Sequence, residues 1–141
     1  MAYDNMNKAV AGLIDGLHHD IESRLVAGST GDKLDFGKAA FAASTPDGET
    51  AANTGSVVIG ITTRTAKVGA GYEVGDCANV MTRGRVWAVA GGAITADSAV
   101  KVSSAGKVVA SSTASSIAFP GHAVAKTAAT ADGDLVLVEI G

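Results

Sequence analysis

The feature that most constrains the fold is a succession of short apolar runs, each bounded by glycine, aspartate or proline, through the second half of the chain. Residues 71–92 read GYEVGDCANVMTRGRVWAVAGG, with apolar segments of a few residues between such breakers. This pattern predicts a β-hairpin whose turn lies near Arg83–Gly84. Residues 97–109, DSAVKVSSAGKVV, again run from an aspartate through an apolar pair to a glycine. The second half is therefore predicted to form successive hairpins of one small β domain.

Three further segments have the composition of strands. Residues 56–63, SVVIGITT, are almost continuously β-branched, which favours a strand covered on both faces. Residues 122–126, HAVAK, and 135–140, LVLVEI, follow turn residues, and the last segment alternates in a way that puts Val136, Val138 and Ile140 on one face. Because no long helical pattern alternates with these strands, the sequence predicts an all-β sandwich or barrel.

The N-terminal segment is ambiguous. Its aliphatic residues are spaced by four, three, four and four, which is a helical period; they are Val10, Ile14, Leu17, Ile21 and Leu25. Gly12 and Gly16 oppose a helix, since each costs about 1 kcal/mol relative to alanine. We therefore predict an extended or partly helical N-terminal arm over residues 1–27, followed by a single β domain over residues 28–141.

Composition narrows the class of protein. A length of 141 residues suits one domain with one core, and Phe36 and Phe41 are the expected buried aromatics of the first half. The net charge of −3 argues against a protein that binds nucleic acid by neutralising phosphates. Cys77, the single cysteine, excludes an intramolecular disulfide and is expected to be a small buried hydrophobe. No signal peptide or apolar run of membrane-spanning length is visible, so a cytoplasm-like compartment is expected and no membrane partner.

No catalytic chemistry is indicated. The glycine-rich segments lack the spacing and the strand–helix context of a phosphate loop, and there is no GxSxG motif. On a helix, His18 or His19 would share a face with Asp15 and Glu22 at metal-ligand spacing. The simpler interpretation is a solvated polar face. We predict no catalytic, cofactor-binding or metal-binding residues and no enzymatic activity.

Two large amphipathic side chains and three residues of the N-terminal stripe are the candidate binding residues. Tyr72 and Trp87 either anchor the core or fill a pocket of a partner, since both residue types are common in each setting. Together with Ile14, Leu17 and Ile21 they form the predicted partner interface.

The sequence resembles a known family, the small capsid cement (head decoration) proteins of tailed bacteriophages. The resemblance covers most of the chain, with the N-terminal stripe as its main departure. The matching segments are ESRLVAG (22–28), FGKAA (36–40), GITTRTA (60–66), YEVGDCANVMTRGRVWAV (72–89), ITADSAVKVSSAGKVV (94–109) and GHAVAKTAATADGDLVLVEI (121–140).

The resemblance implies a non-enzymatic structural protein with a β-sandwich or barrel, jelly-roll-like in some members. It implies binding to the outer surface of an assembled head, where many copies bridge neighbouring major capsid subunits and stabilise the shell. The expected partners are the major capsid protein and further copies of this chain, a dimer being favoured over a trimer, with no direct contact to nucleic acid. The expected location is the capsid exterior of the virion, after synthesis in the host cytoplasm.

An alternative function remains open from the residues alone. A small β-sandwich module that binds a ligand or sugar on a virion or cell surface has a similar composition. Such a module needs a concave pocket with converging polar groups. In the cement hypothesis, residues 1–25 act as a clamp on the shell and residues 57–141 form the rigid body.

Overall fold

The computed structural model describes residues 10–28, 31, 33–45, 48–64 and 71–141; within them it leaves the side chains of residues 15–18, 44–45 and 48–50 undescribed. These residues contain strands and turns and no helix, which confirms the all-β prediction. No helix among them is long and apolar enough to cross a membrane. The strands are β1 (Ile14–Val26), β2 (Lys33–Asp35), β3 (Ala39–Thr45), β4 (Gly48–Ala52), β5 (Val58–Thr62), β6 (Gly71–Glu73), β7 (Cys77–Val89), β8 (Ser98–Val102), β9 (Val108–Ala110), β10 (Ala123–Ala125) and β11 (Leu135–Ile140).

The sheet closes into two rings that share β7. In the first ring, β1, β4, β3, β5 and β7 are hydrogen-bonded in that order and β7 pairs back with β1. In the second ring, β7, β11, β10, β8 and β9 follow one another, and a bridge between Ala90 and Val108 joins β9 to the residue that follows β7. The closing contact includes a hydrogen bond from the Gly91 N–H to the Val108 carbonyl oxygen at 2.7 Å. The fold is therefore barrel-like rather than an open sandwich.

The first core fills the first ring. Each of its five strands contributes a buried apolar side chain, and the separate β2–β6 pair adds Leu34 and Tyr72, with Phe36 following β2. The strand contributions are Val26, Ala51, Ala40, Ile59 and Val80. Since several of these are alanine or valine, the larger side chains of the β2–β6 pair supply much of the apolar volume inside this ring.

The second core fills the second ring and covers the outer wall of the first. Alternate residues of β11, Val136, Val138 and Ile140, point into it, which confirms the face predicted for the last strand. Phe41 of β3, fully buried, reaches the same core from the first ring. The two cores therefore lie on opposite faces of the shared strands.

β5 and β7 approach each other closely at Gly60. A Cβ atom on this residue would overlap the carbonyl oxygen of Met81, so the wall between the two cores requires glycine here. All five residues of β5 are buried, as expected for a strand covered on both faces.

Two local predictions were wrong. Arg83–Gly84 is not a turn, because β7 continues through it, and Gly84 pairs with Ile140 with a positive φ of 128°. Cys77 is exposed rather than buried, because it begins β7 on the outer surface opposite Leu25. The hairpin predicted over residues 97–109 is present as the β8–β9 pair.

The N-terminal segment is extended where it is described. Ile14–Val26 forms β1, which pairs with β7 along much of its length, and so the helical interpretation of the aliphatic spacing is wrong for these residues. Residues 1–9 lie outside the described part. The division into an arm of residues 1–27 and a β domain of residues 28–141 stays a prediction.

Candidate interaction surface

An apolar strip runs along the outer face of β1. Directly opposed residues of paired strands share a face, and β1 places Ile21 opposite Met81 and Leu25 opposite Cys77. Met81 is fully buried in the second core, whereas Ile21 is 39% exposed and Leu25 is 47% exposed. We name these outward residues of β1 the β1 strip; they are Ile21, Ser23 and Leu25. The β1 strip continues the apolar face of the second core onto the surface.

An irregularity in β1 brings Ile14 and Ile21 to the same face, although their positions differ by an odd number and a regular strand would place them on opposite faces. Ile14 pairs with Val86 of the second core and packs against that core, half-buried. The β1–β7 register shifts between Asp15 and Asp20 and again before Ile21. Such an insertion changes which residues face the core, and this explains why the aliphatic spacing imitates a helix.

Polar contacts hold the strip in place. The Ser23 Oγ lies 3.1 Å from the Asn79 Oδ1 across the β1–β7 pair and donates a hydrogen bond to it. At the end of the strip, the Gly75 N–H donates to the Val26 carbonyl oxygen at 3.1 Å, in the turn that carries Val74, another exposed aliphatic residue. The strip is thus part of a paired strand and is fixed in geometry before any partner binds.

The opposite face of β1 is charged. The Arg24 Nε donates to the Glu22 Oε1 at 2.9 Å, and the Arg24 side chain is only 14% exposed. β1 therefore has an apolar outer face and a charged opposite face, as a strand has when its two faces lie in different environments.

The predicted interface residues have different surroundings. Ile21 is exposed on the β1 strip, Ile14 is half-buried beneath the neighbouring part of the same face, and the side chain of Leu17 lies outside the described set. Leu25 is not among the interface residues predicted from the sequence. Its position four residues after Ile21 was the available signal, since an even spacing keeps two residues on one face of a strand.

Tyr72 lies inside the first ring. It is 2% exposed, its hydroxyl donates to the Thr63 carbonyl oxygen at 2.8 Å, and its ring meets Phe36 edge to face at 5.2 Å. The Arg64 guanidinium lies 5.1 Å from the centre of the Phe36 ring. Tyr72 therefore anchors the β2–β6 pair in the first core of the free chain.

Trp87 lies on the outward face of the second ring. It is half-buried, opposite Leu137 of β11, and its backbone N–H donates to the Leu13 carbonyl oxygen at 2.9 Å. Two residues away on each strand, Arg85 and Glu139 form an ion pair at 3.4 Å. Trp87 is thus neither a core residue nor a fully exposed one.

Glu139 is shared by two cations. The Lys126 Nζ lies 3.2 Å from its second carboxylate oxygen. The hydrogen bond from Lys126 is the main cause of a lowered Glu139 pKa. Burial opposes it, and the charge of Lys126 and then the hydrogen bond and charge of Arg85 lower the pKa further. The carboxylate is therefore ionised at neutral pH and holds β7, β11 and the end of β10 together.

The described side chains were compared with the requirements of a metal site and of a small-molecule pocket. No group of three or more histidine, cysteine, aspartate or glutamate side chains among them could hold a metal ion. A pocket of about 180 Å³ is lined by Lys33, Asp35, Lys38 and Asn53, among others. This volume is below the range of roughly 300–1,000 Å³ typical of small-molecule sites, so the extended outer faces are the stronger candidates for function.

The fold resembles that of a solved phage structure. One matching structure is described as the crystal structure of the head fiber gp8.5 N base in bacteriophage phi29, with a TM-score of 0.59 and 13% sequence identity. The match covers 88% of this chain and 95% of that chain. At this identity the likeness shows the fold alone. No curated protein matches the sequence.

The family comparison is specific. Residues 2–141 match the family described as Structural cement protein (E217 gp24/Pam3 gp6). The chain belongs to this family of phage structural cement proteins, which confirms the resemblance drawn from the sequence. Its role is accordingly structural, its location is the virion capsid, and its association with the capsid serves to stabilise the shell.

Proposed function

We propose that this protein binds the exterior of an assembled phage head and bridges neighbouring major capsid subunits through the β1 strip. One observation carries the proposal: a strand held by hydrogen bonds to β7 exposes apolar side chains to solvent. Ile21 is 39% exposed and Leu25 is 47% exposed. The family supports binding to the capsid, and the strip offers a surface for it.

The energetics suit a cementing role. Fully burying a leucine or isoleucine side chain stabilises by about 1.5–3 kcal/mol, and covering the exposed parts of Ile21 and Leu25 contributes a fraction of that. The loss of translational and rotational freedom on binding offsets much of such a gain. A contact to one subunit is therefore weak, and simultaneous contacts to two subunits held by the lattice give the complex its strength.

Self-association extends the same reasoning. We expect a homodimer rather than a trimer, with two copies related by a two-fold axis that present two equivalent strips to two equivalent subunits. A measured solution mass of twice 13.9 kDa supports this expectation, and a mass of once or three times that value contradicts it. The protein acts without catalysis and is made in the host cytoplasm before it joins the shell.

Charged substitutions in the strip test the proposal. Replacing Ile21→Asp and Leu25→Asp together should abolish co-sedimentation with assembled shells of the accompanying major capsid protein, because two carboxylates would have to be buried in the contact. Point substitutions are preferable to deleting residues 2–20, since the deletion removes half of β1 and its pairing with β7.

The matched control is Val57→Asp. Val57 is 59% exposed, more than either strip residue, and lies next to β5 rather than on β1 or β7. This variant should bind shells as the native chain does. Thermal unfolding of each variant establishes that it is folded. If the double variant folds and binds shells with native affinity, the β1 strip is not the contact.

A further inference from the structure

A second apolar surface lies on β7 and β11, on the face that points away from the second core. Both chain neighbours of Trp87 are buried in that core, so Trp87 points outward, opposite Leu137 of β11. Two residues further along β7, Val89 forms another directly opposed outward pair with Leu135. Trp87, Val89 and Leu135 are half-buried, so each keeps part of its surface in contact with solvent.

Leu13 extends this surface to the other side of β7. The Trp87 N–H donates to the Leu13 carbonyl oxygen at 2.9 Å, which holds the two backbones side by side. Ile14 packs against the second core, so Leu13, its neighbour along the chain, lies on the opposite face and is 41% exposed. We name the five outward residues the Trp87 patch; they are Leu13, Trp87, Val89, Leu135 and Leu137.

The Trp87 patch and the β1 strip lie on opposite faces of the β1–β7 pair. Ile21 of the strip stands opposite Met81, which is buried in the second core. The strip therefore lies on the face of the pair that bounds the second core, whereas Trp87 points away from that core. A partner on the Trp87 patch thus leaves the β1 strip free to contact the shell.

We infer that the Trp87 patch is the contact between two copies of this chain. The inference rests on the proposed function, in which a dimer carries two strips, and it assigns the surface through which that dimer forms. Tryptophan is enriched at the energetic centres of protein–protein interfaces, and such interfaces have an apolar centre inside a polar rim. The Arg85–Glu139 ion pair borders Trp87 and Leu137 on the two strands and provides part of such a rim.

The charges around the patch suit a second copy better than a strongly charged partner. Arg85 and Lys126 share Glu139, and Asp15 stands opposite Arg85 in the β1–β7 register. Because both signs are present, no excess of one sign opposes the approach of two identical surfaces. A two-fold axis at the patch makes the contact self-complementary, since each copy then offers the same surface to the other.

Two variants test the contact by light scattering, which gives the mass in solution. Leu13→Asp places a carboxylate in the patch and should raise the dissociation constant of the dimer at least about tenfold. Trp87→Glu should do the same, and Leu13→Asp stays informative if Trp87→Glu does not fold, because Leu13 is exposed and precedes β1. The matched control is Val57→Asp, at a residue 59% exposed and outside the patch, which should keep a mass of twice 13.9 kDa.

Trp87 is the single tryptophan and gives an independent readout. The dimer shields its indole from water, so dilution of the native chain should shift the emission to longer wavelength and increase quenching by acrylamide. The shift should follow the fall in mass from twice to once 13.9 kDa. Leu13→Asp should show the shift at concentrations at least about tenfold higher. A mass that falls on dilution without a change in emission would place the contact elsewhere and overturn the inference.

Co-sedimentation with assembled shells separates this contact from the proposed function. Ile21→Asp/Leu25→Asp should stay dimeric and lose shell binding, whereas Leu13→Asp should bind shells more weakly, because a monomer presents one strip. If the native chain binds shells as a monomer or a trimer, or if the patch variants dimerise with native affinity, the contact is refuted while shell binding through the strip stands. If the native dimer is lost in the patch variants but does not bind shells, the contact stands and the proposed function fails.

Discussion

The two rings share β7 but are closed and filled in different ways. The first ring is closed where β1 and β4 pair in parallel at two positions, Leu25 with Thr50 and Val26 with Ala51. Its core depends on Leu34 and Tyr72, which the separate β2–β6 pair inserts from outside the ring. In the second ring, β7 and β11 pair over six consecutive residues, and the core is built largely from the aliphatic side chains of the ring itself.

This difference assigns distinct roles to the two rings. Among the described residues, the second core contains 19 buried apolar side chains and the first contains nine, and buried apolar contacts are what chiefly resists local opening. The second ring is therefore the stable body of the protein. The first ring is the less stable unit, and it carries the exposed residues of the β1 strip.

Truncation of the second core should have the largest effect on stability. Phe41 is fully buried there, and Phe41→Ala leaves a cavity that costs about 3–5 kcal/mol. Urea unfolding followed by circular dichroism measures the loss. Val57→Ala, at a residue 59% exposed, should change stability by less than about 0.5 kcal/mol. Similar losses for the two variants would contradict the packing described for the second core.

A methyl group at the wall between the rings should have the next largest effect. Gly60→Ala forces β5 away from the Met81 carbonyl and should cost about 2–3 kcal/mol through overpacking. The same unfolding experiment applies, with Gly92→Ala as control, because an added Cβ at Gly92 meets no atom within 4 Å. A Gly60→Ala protein of native stability would show that the two strands are not held so closely.

Loss of the Tyr72 hydroxyl should affect the first ring alone. Tyr72→Phe removes the buried hydrogen bond to the Thr63 carbonyl oxygen, at a cost of about 0.5–1.5 kcal/mol. Hydrogen exchange should show faster exchange of amides in β2 and β6, with the amides of β11 unchanged. Equal acceleration in both rings would mean that they open as a single unit.

The smallest effect concerns pH and a loop of the second ring. Asp134 accepts hydrogen bonds from the Thr130 backbone and hydroxyl and from the Ala131 N–H, and these lower its pKa below the ordinary value of 3.8. A lowered pKa in the folded state gives stability that is present above the unfolded pKa and is lost as pH falls through the folded value. Asp134→Asn should therefore unfold at a lower temperature than the native chain at neutral pH, and the difference should shrink well below pH 3.8. A difference independent of pH would contradict this role.

The sequence predicts the strands of the second ring better than the closure of the first. The segments 122–126 and 135–140 alternate regularly between turn residues, and they form β10 and β11. In β1, the shifts of register reverse which residues face the core, so the aliphatic spacing suggests a helix. In β7, Gly84 resembles a turn residue but occupies a paired position in a long strand.

The binding surfaces were only partly accessible to sequence reasoning. Ile21 was identified from the aliphatic stripe, but the exposure of Leu25 depends on where β1 passes the edge of the second core. The fixed geometry of the β1 strip comes from pairing with β7, which is distant along the chain. Such assemblies depend on long-range pairing, which local sequence patterns do not specify.

Calorimetry of assembled shells tests the central claim most directly. Expanded shells of the accompanying major capsid protein would be heated with and without saturating amounts of this chain, and the disruption temperature compared. The account predicts a higher disruption temperature, with saturation at a fixed ratio of this chain to shell subunits. An unchanged disruption temperature at saturating protein would contradict a cementing role.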